Sequence, residues 1–385
     1  MKSEKIKSVP ELRFPGFDGA WNRIELEAIA SKKISYGIVQ AGEHVPGGMP
    51  YIKSQDLNKP LDIDSLQRTS SEIARKYRRS EVEPGDIVFS LRGNIGVSQI
   101  VPSSIAVANL TQGTARIAVK NHDNRLVAQT LQTENVARDI DACAKGSTFR
   151  EISLESLRKV SLPLAPTLLE QQKIADFLTV VDGRIAQLSR KKALLEDYKK
   201  GVMQQLFTQA LRFKDDDGNE FPDWEEKTLG EVLTIGSGRD YKHLDKGNIP
   251  VYGSGGVMAF VNNFLYKGES VCIGRKGTID KPRLVRGAFW TVDTLFYTHS
   301  FKNVLPRFVY AIFQRINWQA YNEASGVPSL SKTTIESIPV SIPHLEEQTK
   351  IANFLTALDR KIESVAAQIT HNQTWKKGLL QQMFV

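Results

Sequence analysis

The sequence predicts an α+β protein built twice over: two globular α/β regions, each followed by a long helix, with the two helices packed on one another. Three observations carry that expectation. The first is a repeat. The segment LLEQQKIADFL at 168–178 returns as LEEQTKIANFL at 345–355, and the offset of 177 residues holds without a gap from 168 to the C-terminus. Between 167–208 and 344–385, 17 of 42 positions are identical. The second is a heptad seam in both copies, with apolar residues at alternating steps of four and three. The third is that the intervening regions are rich in short apolar runs punctuated by Gly and Pro, as strands and turns are.

A length of 385 residues suggests two or three domains at about 100–200 residues each. The expected order is a connector (1–20), a globular region (21–166), a long helix (167–209), a second connector (210–223), a second globular region (224–343) and a second long helix (344–385). The connectors repeat as well: Leu12-Arg13-Phe14 with Trp21 answers Leu211-Arg212-Phe213 with Trp224. The charged run 214–220 reads as an exposed loop.

In the first region, a turn at Gly85-Asp86, an apolar strand and an Arg-containing Gly loop (Leu91-Arg92-Gly93-Asn94) follow one another. The second region has the same succession at Gly268-Glu269 and Gly274-Arg275-Lys276-Gly277, which sets Arg92 opposite Arg275. Glycine lets backbone approach a ligand, and Arg can grip a phosphate or a guanine edge with two parallel donors. A hairpin turn with a solvated Arg explains either loop alone equally well. The loop Gly253-Ser254-Gly255-Gly256 has the same two readings, and Trp290 reads as core. Near each region's end, 146–153 and 325–332 precede a short helical stretch and a final apolar strand (160–164 and 338–342). Pro166 or Pro343 then opens the helix, where proline is tolerated.

The first seam comprises Ile174, Leu178, Val181, Ile185, Leu188, Lys192, Leu195, Lys199, Val202 and Leu206. The second comprises Ile351, Leu355, Leu358, Ile362, Val365, Ile369, Asn372, Lys376, Leu379 and Met383. Forty helical residues span about 60 Å. A seam of that length, present twice, favours helix-on-helix pairing over a helix laid on a globular core. The polar members Lys192, Lys199, Asn372 and Lys376 cost stability but can fix register.

Composition narrows the function classes. Lys+Arg number 51 against 43 Asp+Glu, a formal charge of +8, which suits nucleic acid or plain solubility equally. Hydrophobic residues at 41% argue against wholesale disorder. No apolar run approaches the ~20 residues of a membrane span, and the start lacks a secretory stretch, so a cytoplasmic protein without membrane contact is expected. Cys143 and Cys272 stand far apart without a metal or redox spacing, and the six histidines form no zinc motif. Phosphate-binding loops, a nucleophile elbow, the Asn/Asp-Pro-Pro-Tyr run of adenine methyltransferases and a nuclease cluster are all missing from the sequence. No catalytic constellation is found, and no metal site is expected.

The doubled pattern Leu-Arg-Phe with Trp, a diverged region, then Glu170-Gln171, Lys173-Ile174-Ala175 and Phe177-Leu178 (again at Glu347-Gln348, Lys350-Ile351-Ala352 and Phe354-Leu355) resembles the specificity subunit of type I restriction-modification enzymes. The endings Lys199-Lys200-Gly201 through Phe207 and their C-terminal twins belong to the likeness, which covers nearly the whole chain. The resemblance implies two target-recognition domains, each reading one half of a split DNA site. Two antiparallel helices would form a coiled coil with pseudo-twofold symmetry and set the gap. It further implies a non-catalytic subunit, partnered on double-stranded DNA by two modification (methyltransferase) and two restriction (translocase and nuclease) subunits. S-adenosylmethionine, ATP and Mg would be bound by those partners, with no cofactor on this chain. On loop context and residue type, the expected DNA contacts are Lys53, Gln55, Arg92, Asn94, Gln112, Arg116 and Arg150 in the first region. In the second they are Arg239, Tyr241, Lys242, Arg275, Lys276, Ser329 and Lys332. Two other readings stand beside this one. One is a coiled-coil adaptor whose heads bind proteins. The other is a stand-alone DNA enzyme with an unrecognised centre.

Overall fold

The protein is described here by a computed structural model covering residues 9–146 and 150–385. It divides into two compact units, Met1–Ser189 with Ala367–Val385, and Arg190–Ala366. Each long helix is shared between the two units. Its first half belongs to one unit and its second half to the other.

Unit 1 contains β1 (Asn22–Glu25), α1 (Leu26–Ile29), β2 (Met49–Ile52), β3 (Arg68–Thr69), α2 (Ser71–Lys76), β4 (Ile87–Ser90), β5 (Ser98–Ile100), β6 (Asn109–Leu110) and β7 (Thr114–Ile117). These are followed by α3 (Asn124–Leu131), α4 (Glu134–Cys143), α5 (Leu154–Arg158), β8 (Ser161–Leu164) and the start of α6 (Leu168–Phe207). Strands pair as β1-β8, β3-β2-β6 and β5-β4-β7, all antiparallel except β2 with β6. Its main core joins Leu26, Phe89, Leu126 and Leu162 to Ile174, Leu178 and Val181 of α6 and to Leu379, Met383 and Phe384. Each such buried aliphatic side chain contributes about 1.5–3 kcal/mol relative to exposure.

Unit 2 contains the end of α6, β9 (Glu225–Thr228), α7 (Leu229–Val232), β10 (Thr234–Ser237), β11 (Lys246–Gly253), β12 (Gly256–Val261), β13 (Tyr266–Gly274), β14 (Arg283–Thr291) and β15 (Leu295–His299). Then come α8 (Pro306–Arg315), α9 (Lys332–Glu336), β16 (Pro339–Ile342) and the start of α10 (Leu345–Met383). One six-stranded sheet runs β10-β15-β13-β14-β11-β12, and β9 pairs with β16. Its main core joins Val271, Ile273, Phe308 and Phe313 to Val202, Met203 and Leu206 of α6 and to Ile351 and Leu355 of α10.

The helix starts have clear causes. Thr167 caps α6 by accepting the Glu170 N–H (3.2 Å). Gln209, at a left-handed φ of 60°, follows its end. Within each unit the two helix halves run antiparallel. In unit 1 the Leu12 N–H donates to the Gln382 carbonyl (2.9 Å) while its neighbour Arg13 grips Glu170, so the end of α10 lies beside the start of α6. Farther along, Lys376 pairs with Asp182 at 2.7 Å. Unit 2 repeats this with Arg212 on Glu347 and Lys199 on Asp359 (2.6 Å). The offset of 177 carries Asp182 onto Asp359 and Lys199 onto Lys376, so one ion pair is made twice with its helices exchanged.

All sixteen apolar seam residues are at least partly buried. Ile174, Leu178, Val181, Leu188, Val202, Leu206, Ile351, Leu355, Val365, Leu379 and Met383 are buried, and Ile185, Leu195, Leu358, Ile362 and Ile369 are half-buried. Both ends of each seam sit inside the globular cores, because the flanking sheets and short helices supply most of the apolar surface there.

Candidate nucleic-acid interface

In each unit a duplicated frame holds up a set of surface loops. The frame starts at a buried carboxylate. Glu170, 1% exposed, accepts two bonds from Arg13 (2.8 and 2.9 Å). Glu347, 0% exposed, accepts two from Arg212 (3.1 and 2.7 Å) and one from the Trp224 indole (3.1 Å). Hydrogen bonding to these carboxylates raises the pKa of both arginines. The next residue is also duplicated. The Gln171 side chain donates to the Ala165 carbonyl and accepts the Asp123 N–H, and Gln348 donates to the Pro343 carbonyl and accepts the Leu305 N–H. Edge-on aromatic contacts recur as Trp21 on Phe384 and Trp224 on Phe207.

Backbone hydrogen bonds then place the loops at matching positions. The Leu91 N–H donates to the Gly113 carbonyl and the Arg275 N–H to that of Thr294, both at 2.8 Å. The Ile152 N–H reaches Leu91, and the Leu330 N–H reaches Arg275. Bridges link Arg92 with Glu151 and Lys276 with Ser329. The structural counterpart of Arg92 is therefore Lys276, and that of Arg275 is Leu91. This corrects the sequence pairing by one residue. It also aligns Gly93 (φ 71°) with Gly277 (φ 85°), which share the left-handed conformation that glycine adopts freely. Gly37 and Gly238 match too. A Cβ on either would lie 1.8 or 1.9 Å from a backbone oxygen, of Leu110 or Val292.

In unit 1 the turn at Ser54–Asn58 ties three loops together. The Ser54 hydroxyl donates to the Gly113 carbonyl (2.7 Å), and Asn94 donates its amide to Asn58. Lys53, Gln55, Arg92, Asn94 and Gln112 are thereby brought to one cluster of loops. Lys53 bonds Gln67 (3.1 Å), and Gln55 is exposed. Arg92 is ion-paired with Glu151 at 2.9 Å and Arg150 with Asp141 at 2.7 Å. Such exposed pairs are worth at most about 1 kcal/mol, so phosphates can displace the carboxylates. Arg116 is a correction: it lies in the middle of β7, 6% exposed, and donates to the Glu81 carbonyl, so it supports the fold and does not face a ligand. Residues 147–149 of the first-region segment 146–153 lie outside the described residues.

The unit 1 surface carries a cluster absent from the sequence expectation. Arg75, Lys76, Arg78 and Arg79, on α2 and the 3-10 turn after it, are all exposed. Among the described residues only Arg78 has an acidic neighbour, Glu81 at 4.0 Å. The run Arg75-Lys76-Tyr77-Arg78-Arg79 was a readable signal, since dense Lys/Arg runs mark nucleic-acid patches.

In unit 2 two groups flank the turn Val292–Leu295. The Arg239 N–H donates to the Thr291 carbonyl (2.8 Å), and Arg239's own carbonyl accepts the Trp290 indole N–H (2.8 Å). Trp290 is buried, as core, beneath His243. Tyr241 is half-buried against this layer, and Lys242 is exposed. On the other side Arg275 lies over the Phe296 ring (5.9 Å), and Lys276 bridges Ser329. The Ser329 N–H donates to Asn322 (2.9 Å), and Lys332 opens α9 behind the capping Ser331. Arg239, Lys242, Arg275 and Lys276 are exposed and have no acidic partner among the described residues. An exposed rim of cations and amides on rigid sheets suits phosphate positioning with side-chain readout of base edges.

Among the described residues no group of three or more His, Cys, Asp or Glu is arranged to hold a metal, and no helix is long and apolar enough to cross a membrane. The sequence profile described as "Type I restriction modification DNA specificity domain" matches residues 20–197 and 222–371. The chain is 24% identical to the type I restriction enzyme MjaVIII specificity subunit of Methanocaldococcus jannaschii, over 94% of this chain and 91% of that one. It is 21% identical to the EcoprrI specificity subunit of Escherichia coli over 58% and 59%. Its fold is similar to the crystal structure of the S subunit of a type I system from M. genitalium, with a TM-score of 0.67 and 17% identity over 98% of this chain and 99% of that one.

Proposed function

The chain belongs to the specificity-subunit family of type I restriction-modification systems, and on that premise we propose that each unit reads one half of a split DNA site through the loops described above. One observation supports this reading above the others. Matching backbone positions that reach the surface carry different side chains in the two units: Arg92 against Lys276, and Gln112 against Asp293. Two readers of unlike half-sites need a common frame with unlike contacts. The helices set the spacing between half-sites, and the chain supplies recognition without catalysis. Its partners are two modification subunits, which bind S-adenosylmethionine and methylate adenine, and two restriction subunits, which use ATP and Mg. The place of work is the cytoplasm.

Exchanging 21–166 with 224–343 tests the reading. Mapping of methylated adenines should show the two half-sites exchanging places. A protein-binding adaptor would leave no sequence-dependent methylation to move, and methyl transfer by the purified chain alone would overturn the non-catalytic role.

A further inference from the structure

The far end of each helix repeats Lys-Lys-Gly followed by Gln-Gln, and the two lysines and the first glutamine of that repeat line a cleft in each unit. In unit 1 the cleft lies between α10 and the α3–α4 junction, with a volume of about 420 Å³. A carboxylate from the same unit occupies its cationic side. Glu134, at the start of α4, accepts from Lys377 at 2.8 Å and from Gln381 at 3.2 Å.

The matching cleft in unit 2 lies between α6 and the end of α8 and holds about 510 Å³. The 177-residue offset places Lys200 where Lys377 stands and Gln204 where Gln381 stands. Here, among the described residues, no carboxylate is paired with Lys200 or Gln204. The wall opposite supplies Gln314 and Arg315 instead of an acid. Gln314 accepts from Lys199 (2.9 Å), and the Arg315 guanidinium lies 4.5 Å from the centre of the Phe207 ring. Lys200 and Arg315 have no acidic partner among the described residues. The two carboxylates in the wall are already engaged, Asp359 by Lys199 at 2.6 Å and Glu196 by Lys192 at 2.8 Å. Met203 and Ile362 give the cleft an apolar floor.

We propose that the unit 2 cleft receives an acidic side chain of a partner protein, in the role that Glu134 plays within unit 1. The occupant is the modification subunit, so the inference rests on the family reading above. A carboxylate fits better than a DNA phosphate for two reasons. The repeat shows a carboxylate on the same Lys and Gln pair. A concave slot with an apolar floor also suits the stem of a Glu or Asp, whereas a duplex phosphate rides on a convex backbone and gains nothing from Met203 or Ile362.

Two variants of the full chain test this against the modification subunit, with binding measured at low and high salt and unfolding followed for each variant. Lys200→Ala with Arg315→Ala removes the unopposed cations. Gln314→Glu supplies a carboxylate from within and should fill the slot without loosening the fold. Both are expected to weaken subunit binding about tenfold and to flatten its salt dependence, with the Gln314→Glu variant melting no lower than the parent. Unchanged binding by both variants overturns the proposal. So does unchanged subunit binding with reduced affinity for a DNA duplex, which would make the slot a phosphate site. A parent chain that binds no modification subunit refutes the family reading itself, a result distinct from either.

Discussion

The two units share a frame almost bond for bond and share little above it. Arg13 on Glu170 answers Arg212 on Glu347, and Lys376 on Asp182 answers Lys199 on Asp359. Over that frame, unit 1 builds two three-stranded sheets from strands of two to four residues, and unit 2 builds one sheet of six strands reaching nine residues. The difference teaches where each constraint acts. The frame must close on itself through buried charge and aromatic contacts, so its residues cannot drift singly. The loops need only backbone anchors, so their side chains are free to change.

The frame itself hides an asymmetry, and testing it should give the largest effect. Arg13→Ala leaves the Glu170 carboxylate buried with no side-chain donor among the described residues, and about 3–5 kcal/mol of stability should be lost in denaturant unfolding. Arg212→Ala should cost clearly less, because Glu347 keeps the Trp224 indole at 3.1 Å, whereas the Trp21 indole has no partner among the described residues. Equal losses would show that the indole bond carries no weight.

The loops come next. Arg92→Ala and Lys276→Ala should each cost about 1–3 kcal/mol in DNA binding and relax preference in one half-site only. Neutralising Arg75 and Arg79 should instead weaken all sequences alike and lower the salt slope by about one per lost phosphate contact. Binding titrations at several salt concentrations separate the two, and a sequence-independent effect of Arg92→Ala would remove it from the readers. The helix pair follows. Lys376→Asp alone sets two carboxylates together and should cost about 1–2 kcal/mol. Adding Asp182→Lys should restore most of that loss in a double-mutant cycle, and failure to restore it would show that the ion pair does not specify register.

The smallest expected effect concerns unit 1 alone. Burial raises the Asp86 pKa despite its bond from the Glu83 N–H and the charges of Arg116 and Lys32. A raised carboxyl pKa means that the folded state favours the proton. The associated stability is therefore present below the unfolded pKa and is lost as pH rises through the folded one. Asp86→Asn should stabilise the protein slightly at neutral pH, and melting curves should converge as pH falls. A constant difference across pH would exclude ionisation as the cause.

The helices were legible because a heptad repeat and a duplicated motif survive divergence: Ile174 to Leu206 and Ile351 to Met383 announce their buried side by spacing alone. The sharing of each helix between units was not, since spacing shows which residues are apolar and not which half of which partner they meet. The one-residue slip between Arg92 and Lys276 was hidden for a related reason. Both loops show Arg beside Gly, and only the hydrogen bonds of Leu91 and Arg275 reveal the register. Arg116 misled because an Arg flanked by Thr114-Ala115 and Ile117 can edge a loop or sit in a strand, and β7 buries it. Arg75 to Arg79 were visible as a charge run, but no glycine loop drew attention to them.

The sharing of the helices also imposes an order in time. Unit 2 is drawn from one continuous stretch, Arg190–Ala366, so every residue of its core has been made once that stretch emerges. Unit 1 must wait for residues 367–385, since Trp21 needs Phe384 and Asp182 needs Lys376. Its apolar helix face, with Ile174, Leu178 and Val181, stays uncovered on that side through the synthesis of all of unit 2. The half of the protein begun first is thus finished last. It closes a far longer loop than its twin, and that closure costs more chain entropy.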